Sequence, residues 1–221
     1  MDGLVLAGGR GSRMQAEDAR TRADAKVPID KGLVPLAGRP LVAHVVHTLR
    51  PQVDELFISI NTDRAAYAQW GRCISDRADG QGAIPYDGPL AGVLAGLDAS
   101  GAEWLAVAPC DSPFLPQDWA ITLLNCAMQS GAALAVARHR EDRHPVCMVL
   151  QRGLRENLDH YLAAGGRKVG AWQHAVHAAQ VDFDGCAAHA FMNINSPADL
   201  VQAEACIGQL PGAQPSQRDN S

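Results

Sequence analysis

The sequence predicts an α/β fold, a single three-layer α/β/α domain around a mostly parallel sheet. Short apolar runs alternate with longer amphipathic stretches through most of the chain, the pattern of βαβ units whose sheet is covered on both faces. Two strand-to-helix junctions are glycine-rich, at Gly8-Gly9-Arg10-Gly11 and at Gly88-Pro89-Leu90-Ala91-Gly92. With 47% hydrophobic and 19% charged residues over 221 positions, the chain has the material for one sizeable core.

The elements follow in order. Leu4–Ala7 is a short apolar run stopped by glycine and reads as a buried strand. Leu41–Leu49 has helical spacing behind Pro40, which suits a helix start. Glu55–Ile60 reads as a strand and Arg64–Trp70 as a helix. Asp87–Gly92 opens an apolar helix ending near Ser100, and Trp104–Ala108 is the next strand. Pro116–Gln129 is a helix and Ala132–Ala137 a strand. The later part changes character: Val146–Leu150, Val181–Phe183 and Ala190–Asn193 are short strand candidates around helices at 152–163 and 197–206. No repeat or composition break divides the chain. One domain is therefore expected over 1–208, with a polar, disordered tail over 209–221.

Bulk properties narrow the function. A net charge of −5 argues against a nucleic-acid binder that relies on a basic face, while leaving room for a local basic pocket. The six cysteines form no C-x-x-C pair, so a structural zinc site is not expected; they read as buried or free thiols of a reducing compartment. Gly8 and Gly9 interrupt the N-terminal apolar residues, and no stretch approaches the roughly 18 apolar residues of a membrane span. A cytoplasmic protein without a membrane or nucleic-acid partner is the expectation.

A strand that runs into Gly8-Gly9-Arg10-Gly11 can bind an anion. Glycine lets the backbone approach closely, successive N–H groups make a concave donor set, and Arg10 and Arg13 add fixed positive charge. No Gly-Lys-Ser/Thr follows, so this is not the P-loop of NTPases. Met14 stands where the dinucleotide fingerprint has its third glycine. The glycines alone are equally those of an ordinary strand-to-helix turn.

The run Leu-Ala-Gly-Gly-x-x-x-Arg-Met (6–14), then Asp30-Lys31-Gly32 and Pro35-Leu36-Ala37-Gly38-Arg39-Pro40-Leu41, resembles the opening of sugar-nucleotide-type nucleotidyltransferases. Within that group the chain looks most like the molybdenum cofactor guanylyltransferases. Asp87-Gly88-Pro89-Leu90-Ala91-Gly92, Pro109-Cys110-Asp111-Ser112-Pro113-Phe114 and Asn193-Ile194-Asn195-Ser196-Pro197 match the narrower family in its own order. The resemblance covers residues 4 to about 206. It implies a Rossmann-like sheet of the nucleotidyltransferase type, with a GTP and Mg²⁺ half over about 1–115 and a molybdopterin half over about 116–208. It implies that GTP and molybdenum-bound molybdopterin give the guanine dinucleotide cofactor and pyrophosphate. Handover to molybdoenzymes or other proteins of the pathway is a further implied partnership.

The resemblance also assigns residues. Arg13, Lys31 and Asp111 would be catalytic, with Asp111 the metal ligand. Leu6, Ala7, Gly8, Gly9, Asn61, Asp76, Gly88, Pro89, Leu90 and Gly92 would join them around the nucleotide. Asn193, Asn195 and His144 would face molybdopterin, and Lys168, read from the residues themselves, offers positive charge for a phosphate of that substrate. Gly8 favours guanine, because the related cytidylyltransferases carry Leu-Ala-Ala-Gly there. Physical chemistry asks for the same residue types. Joining two phosphates needs neutralised charge, aligned groups and a hard oxygen ligand for magnesium. Asp111 follows an apolar strand, and ligands gather at such strand ends in open α/β sheets.

Several residues keep a plainer reading beside this one. Asn61 and Asp76 also suit turns, Gly88 a simple helix start, and Lys168 a solvated one. His144 alone is more commonly structural. Asn193 and Asn195 alternate on the predicted strand and so share a face, while Ser196 and Pro197 suit a helix cap and first turn. The chain departs from the family where sixteen residues separate Met14 from Lys31. That segment, Gln15–Ile29 up to Asp30, is expected to be a mobile flap over the triphosphate. Other readings of the chain are a cytidylyltransferase on the same cofactor, a sugar-phosphate nucleotidyltransferase, and a non-catalytic chaperone that carries cofactor.

Overall fold

Leu4, Val5, Phe57, Ile58, Val107 and Val149 are all fully buried, and runs of such residues belong to strands covered on both faces. A computed structural model describes residues 1–7, 30–61, 64–75 and 88–208 of the chain. Its strands are β1 (Asp2–Leu6), β2 (Pro35–Leu36), β3 (Arg39–Pro40), β4 (Leu56–Ser59), β5 (Arg72–Ile74), β6 (Trp104–Pro109), β7 (Leu134–His139), β8 (Asp142–Gln151) and β9 (Ala179–Asp182). Its helices are α1 (Leu41–Leu49), α2 (Arg64–Tyr67), α3 (Pro89–Ala99), α4 (Trp119–Ser130), α5 (Arg155–Ala163), α6 (Val169–Ala175) and α7 (Pro197–Gly208).

Among the described residues, seven strands form one sheet in the order β5-β4-β1-β6-β8-β7-β9. Every pairing is parallel except those of β8, which runs antiparallel to both β6 and β7. Alternate side chains take opposite faces. Val5, Ile58, Ala106 and Ala135 pack with α1 and α4. Leu4, Phe57, Leu105 and Leu134 pack with α3, α5 and α6. The three-layer α/β/α architecture is thus the one the sequence predicts.

A third, smaller cluster ties the late chain to the early one. Ile194 and Ala203 pack against Val34, Leu36 and Leu41. This seats α7 beside the β2–β3 hairpin and swings the residues before α7 over the carboxyl edge of the sheet. Helix α3 is oriented toward the same edge. Ser100, just past its end, donates to Asp2 at 2.6 Å on the opposite, amino edge, so the start of α3 faces the carboxyl side.

The structure corrects several element boundaries. Ala190–Asn193 is not a strand: Phe191 has φ +60°, a left-handed conformation incompatible with a ladder. Asn193 and Asn195 therefore do not alternate on a strand. The predicted Arg64–Trp70 helix closes at Tyr67, and α4 begins three residues later than Pro116. Strands β2, β3 and β5 and helix α6 were not predicted, and β8 is twice as long as Val146–Leu150. Gly8, Gly9, Gly11, Arg13, Asp76, the 15–29 segment and the 209–221 tail lie outside the described residues.

Candidate active site

Parallel strands put their carboxyl ends on one edge, and three of them present candidate residues there. The Leu6 carbonyl accepts from Cys110 N at 3.0 Å, and Ala7 N donates to the Ser59 carbonyl at 2.9 Å. These bonds set Leu6 and Ala7 beside Asp111 on one flank and beside Asn61, exposed just past β4, on the other. Leu6 and Ala7 are strand-end backbone here, so they offer main-chain rather than side-chain contacts.

Lys31 reaches the edge on a single 3-10 turn, Lys31–Leu33. Its Nζ donates to Asp111 Oδ2 and, at 2.5 Å, to Asn195 Oδ1. Three residues from distant parts of the sequence thus meet at one nitrogen. The Lys31 and Asp111 side chains are 14% and 15% exposed, so the pair is shielded but open to a ligand. Asp111 Oδ1 is buried and has no hydrogen-bond partner among the described residues. A buried carboxylate oxygen without a partner is costly, and a divalent cation would satisfy it. With the Asn195 carbonyl oxygen it makes a hard, all-oxygen donor pair of the kind magnesium accepts when phosphates and water complete its shell. Among the described residues no cluster of three His, Cys, Asp or Glu is placed to hold a metal by itself. Asp111 Oδ1 and Asn195 Oδ1 are the donors the described residues offer such an ion.

The asparagine segment is held at both ends. Ser112 Oγ donates to Asn193 Oδ1 at 2.6 Å, and Ile194 N donates to the Asp111 carbonyl at 2.9 Å. Asp199 Oδ2 accepts from Asn195 N and Ser196 N at 2.8 and 2.9 Å, while Asp199 N donates to Ser196 Oγ at 3.2 Å. This reciprocal cap starts α7 and fixes Asn195 in front of Lys31. Burial alone would push the Asp199 carboxyl up. The hydrogen bonds from the Asn195 and Ser196 backbones, together with the Lys31 charge, outweigh it and hold the carboxyl below the usual range. Asp199 is a residue the sequence reading missed, although Ser196-x-x-Asp199 ahead of an apolar helix is a readable capping signal.

The remaining candidates divide. Gly88 caps α3 with φ +92°, a value that suits glycine, and Gly88 and Pro89 are exposed. The Leu90 side chain is fully buried in the core and Gly92 is buried as well, so a ligand would meet the start of this helix through Gly88 and Pro89. His144 stacks on Phe191 with centroids 4.9 Å apart and an interplanar angle of 22°. Burial lowers its pKa, which favours the neutral ring in that stack. Phe191 N donates to the Phe114 carbonyl at 3.3 Å, which connects the stack to the Asp111–Phe114 stretch. Lys168 is exposed at the start of α6, and among the described residues no hydrogen bond or ion pair joins it to Lys31, Asp111 or Asn195.

A lysine, a carboxylate and a side-chain amide thus gather at the carboxyl edge of an open α/β sheet, where such folds bind their ligands. Residues 3–178 match the model of the MobA-like NTP transferase domain. A molybdenum cofactor guanylyltransferase from Shewanella putrefaciens is 37% identical over 197 residues, covering 89% of this chain and 92% of that protein. The chain belongs to the MobA-like NTP transferase family. Among solved structures, molybdopterin-guanine dinucleotide biosynthesis protein A from Archaeoglobus fulgidus superposes with a TM-score of 0.73 at 22% identity, covering 95% of this chain and all of that one. A Mycobacterium tuberculosis protein solved with manganese has a TM-score of 0.60 at 16% identity, covering 92% of this chain and 97% of that one. No helix among the described residues is long and apolar enough to cross a membrane.

Proposed function

We propose that this enzyme transfers the guanylyl group of GTP to molybdenum-bound molybdopterin and releases pyrophosphate. The observation that carries the reading is the meeting of Lys31, Asp111 and Asn195 at one point on the carboxyl edge. An oxygen of the terminal phosphate of molybdopterin attacks the α-phosphorus of GTP. The bond from that phosphorus to the bridging oxygen breaks, and the electron pair leaves with pyrophosphate.

Each residue has work in that step. Lys31 places a positive charge where pyrophosphate leaves. Asp111 and Asn195 would hold Mg²⁺. When bound, the ion supplies charge neutralisation for the reacting phosphates. The main chain of Leu6 and Ala7, with Asn61, Gly88 and Pro89, lines the nucleotide side. Gly8, Gly9, Arg13 and Asp76 would complete that side, Arg13 as a second catalytic cation. Asn193 and the His144 stack flank the acceptor side, and Lys168 offers a more distant charge for it. The GTP and metal half then spans about 1–115 and the molybdopterin half about 116–208.

Turnover tests the reading. Purified protein with GTP, Mg²⁺ and molybdenum-bound molybdopterin should release pyrophosphate, with CTP and ATP far slower. GTP binding without release would sink the transferase reading, and equal rates with CTP would sink the base preference.

A further inference from the structure

We propose that Tyr67 is a positioning residue for Lys31, acting through Asp30. The inference deepens the reading of Lys31 as the phosphate-facing lysine and rests on it for its functional consequence.

Lys31 lies two positions past Ile29, and its placement depends on what fixes the turn that carries it. Asp30 does so. It caps the Lys31–Leu33 turn, and its Oδ1 accepts from Gly32 N at 3.1 Å. The same oxygen accepts from the Tyr67 hydroxyl. One carboxylate oxygen thus joins the backbone on the far side of Lys31 to a side chain rooted in the core.

Tyr67 is a firm anchor. It is fully buried in the α1 side of the core and packs edge-on against Trp70 with centroids 5.6 Å apart. Burial, and then the hydrogen bond to Asp30, push its phenol far above the ordinary range, so it stays a donor. The fit around it is close. A Cβ on Gly32 would overlap the Tyr67 hydroxyl and come within 3.1 Å of Cζ. The hydroxyl therefore occupies the space that any larger residue at 32 would need. Without it, Asp30 Oδ1 loses the Tyr67 donor while keeping Gly32 N, and the turn gains room to rotate. A long lysine that must meet both Asp111 and Asn195 magnifies such a rotation, and misplacement by about 1 Å can cost about a hundredfold in rate.

The chain has three lysines, Lys26, Lys31 and Lys168, so acetic anhydride labelling read by mass spectrometry reports each one separately. In the nucleotide-free wild type, Lys31 should label slowly relative to the exposed Lys168. In Tyr67→Phe, Lys31 should label about tenfold faster while Lys168 is unchanged. Gly32→Ala should also release Lys31. The double variant Gly32→Ala/Tyr67→Phe should hold Lys31 better than Gly32→Ala alone, because removing the hydroxyl makes room for the new methyl. A role confined to stability would lower the melting temperature in Tyr67→Phe with Lys31 labelling as in wild type, and that result overturns the proposal. If Gly32→Ala does not fold, Tyr67→Phe alone decides. Labelling needs no turnover, so it stands apart from the functional reading. Turnover then separates the two: wild-type rates in Lys31→Met would remove the role of Lys31. Slow Lys31→Met with wild-type rates in Tyr67→Phe would remove the role of Tyr67.

Discussion

Lys31 now sits where a cation is wanted, and replacing it should change how the site meets a metal. The perturbation is Lys31→Met, which keeps the length of the stem and removes the charge. In the structure Lys31 Nζ holds Asp111 Oδ2, and both side chains are about 85% shielded (14% and 15% exposed). Two unit charges about 4 Å apart interact by about 4 kcal/mol at an effective dielectric of about 20. Much of that is offset by the cost of shielding the ammonium from water. A charge-assisted hydrogen bond nets about 1.5–3 kcal/mol, and about 1.4 kcal/mol is tenfold in affinity. An ion entering without nucleotide must displace the lysine, so Lys31→Met should bind Mn²⁺ at least tenfold more tightly than wild type in the absence of GTP. With GTP present the order should reverse, because the lysine then serves the triphosphate. Calorimetry, or the paramagnetic resonance of free Mn²⁺, measures both. Asp111→Asn is the control and should weaken binding in either background. Equal Mn²⁺ affinity for Lys31→Met and wild type without nucleotide would refute the competition. Unchanged affinity in Asp111→Asn would refute the metal assignment itself.

Gln52 Oε1 accepts from Ala120 N at 3.0 Å and Ile121 N at 3.2 Å, which caps α4 from a neighbouring turn because Asp118 makes no side-chain cap. Gln52→Ala should cost about 1 kcal/mol, or about 2–4 °C in melting temperature for a chain of this size. An unchanged melting curve would mean the cap carries no weight. Burial lowers the His144 pKa below its ordinary 6.5 even though Asp142 raises it, with His139 lowering it further. The unfolded chain therefore binds the extra proton first, and His144 costs stability as pH falls from about 6.5 toward the folded value. The melting temperature should drop less between pH 7 and pH 5 in His144→Gln than in wild type, and parallel curves would contradict this.

The layers of the fold were legible in the sequence because they rest on local signals. Leu4, Phe57 and Val107 sit in apolar runs too short for helices, and Pro40 and Gly88 mark helix starts where helices begin. The reversed strand was not legible. Val146–Leu150 is an apolar run whose direction no periodicity encodes. Direction comes from the tight β7–β8 turn, and the positive φ there belongs to Arg140 (+57°) rather than to a glycine or asparagine. Asp142–His144 extend β8 beyond its apolar part as a polar strand end. The β2–β3 hairpin did leave a signal, since Ala37 and Gly38 both take positive φ (+48° and +77°) in the manner of a type I′ turn. The Ala190–Asn193 strand failed for a tertiary reason. The apolar run favours extended structure locally, yet stacking on His144 and an edge-on contact with Phe183 accompany the left-handed turn at Phe191. The site divides the same way. Lys31, Asp111 and Asn195 each stand in a short readable motif. Tyr67 and Asp30 act across 37 positions, and no local pattern announces such a pair.

Charge explains why the described half of the site needs help. Lys31 is one positive charge, and Asp30, Asp111 and Asp199 lie close enough to interact with it or with its immediate neighbours. A triphosphate brought against that set would be repelled as readily as held. In the proposed reading the nucleotide settles where further positive charge accompanies it, and two candidate sources stand out. One is the divalent ion for which the unpartnered Asp111 Oδ1 and the Asn195 carbonyl are suited. The other is the arginine pair of the first glycine-rich loop, Arg10 and Arg13. An acidic site of this kind has a chemical advantage in the transferase reading. In that reading Lys31 would exchange its contact with Asp111 for the phosphates of the nucleotide and return to Asp111 once pyrophosphate is gone.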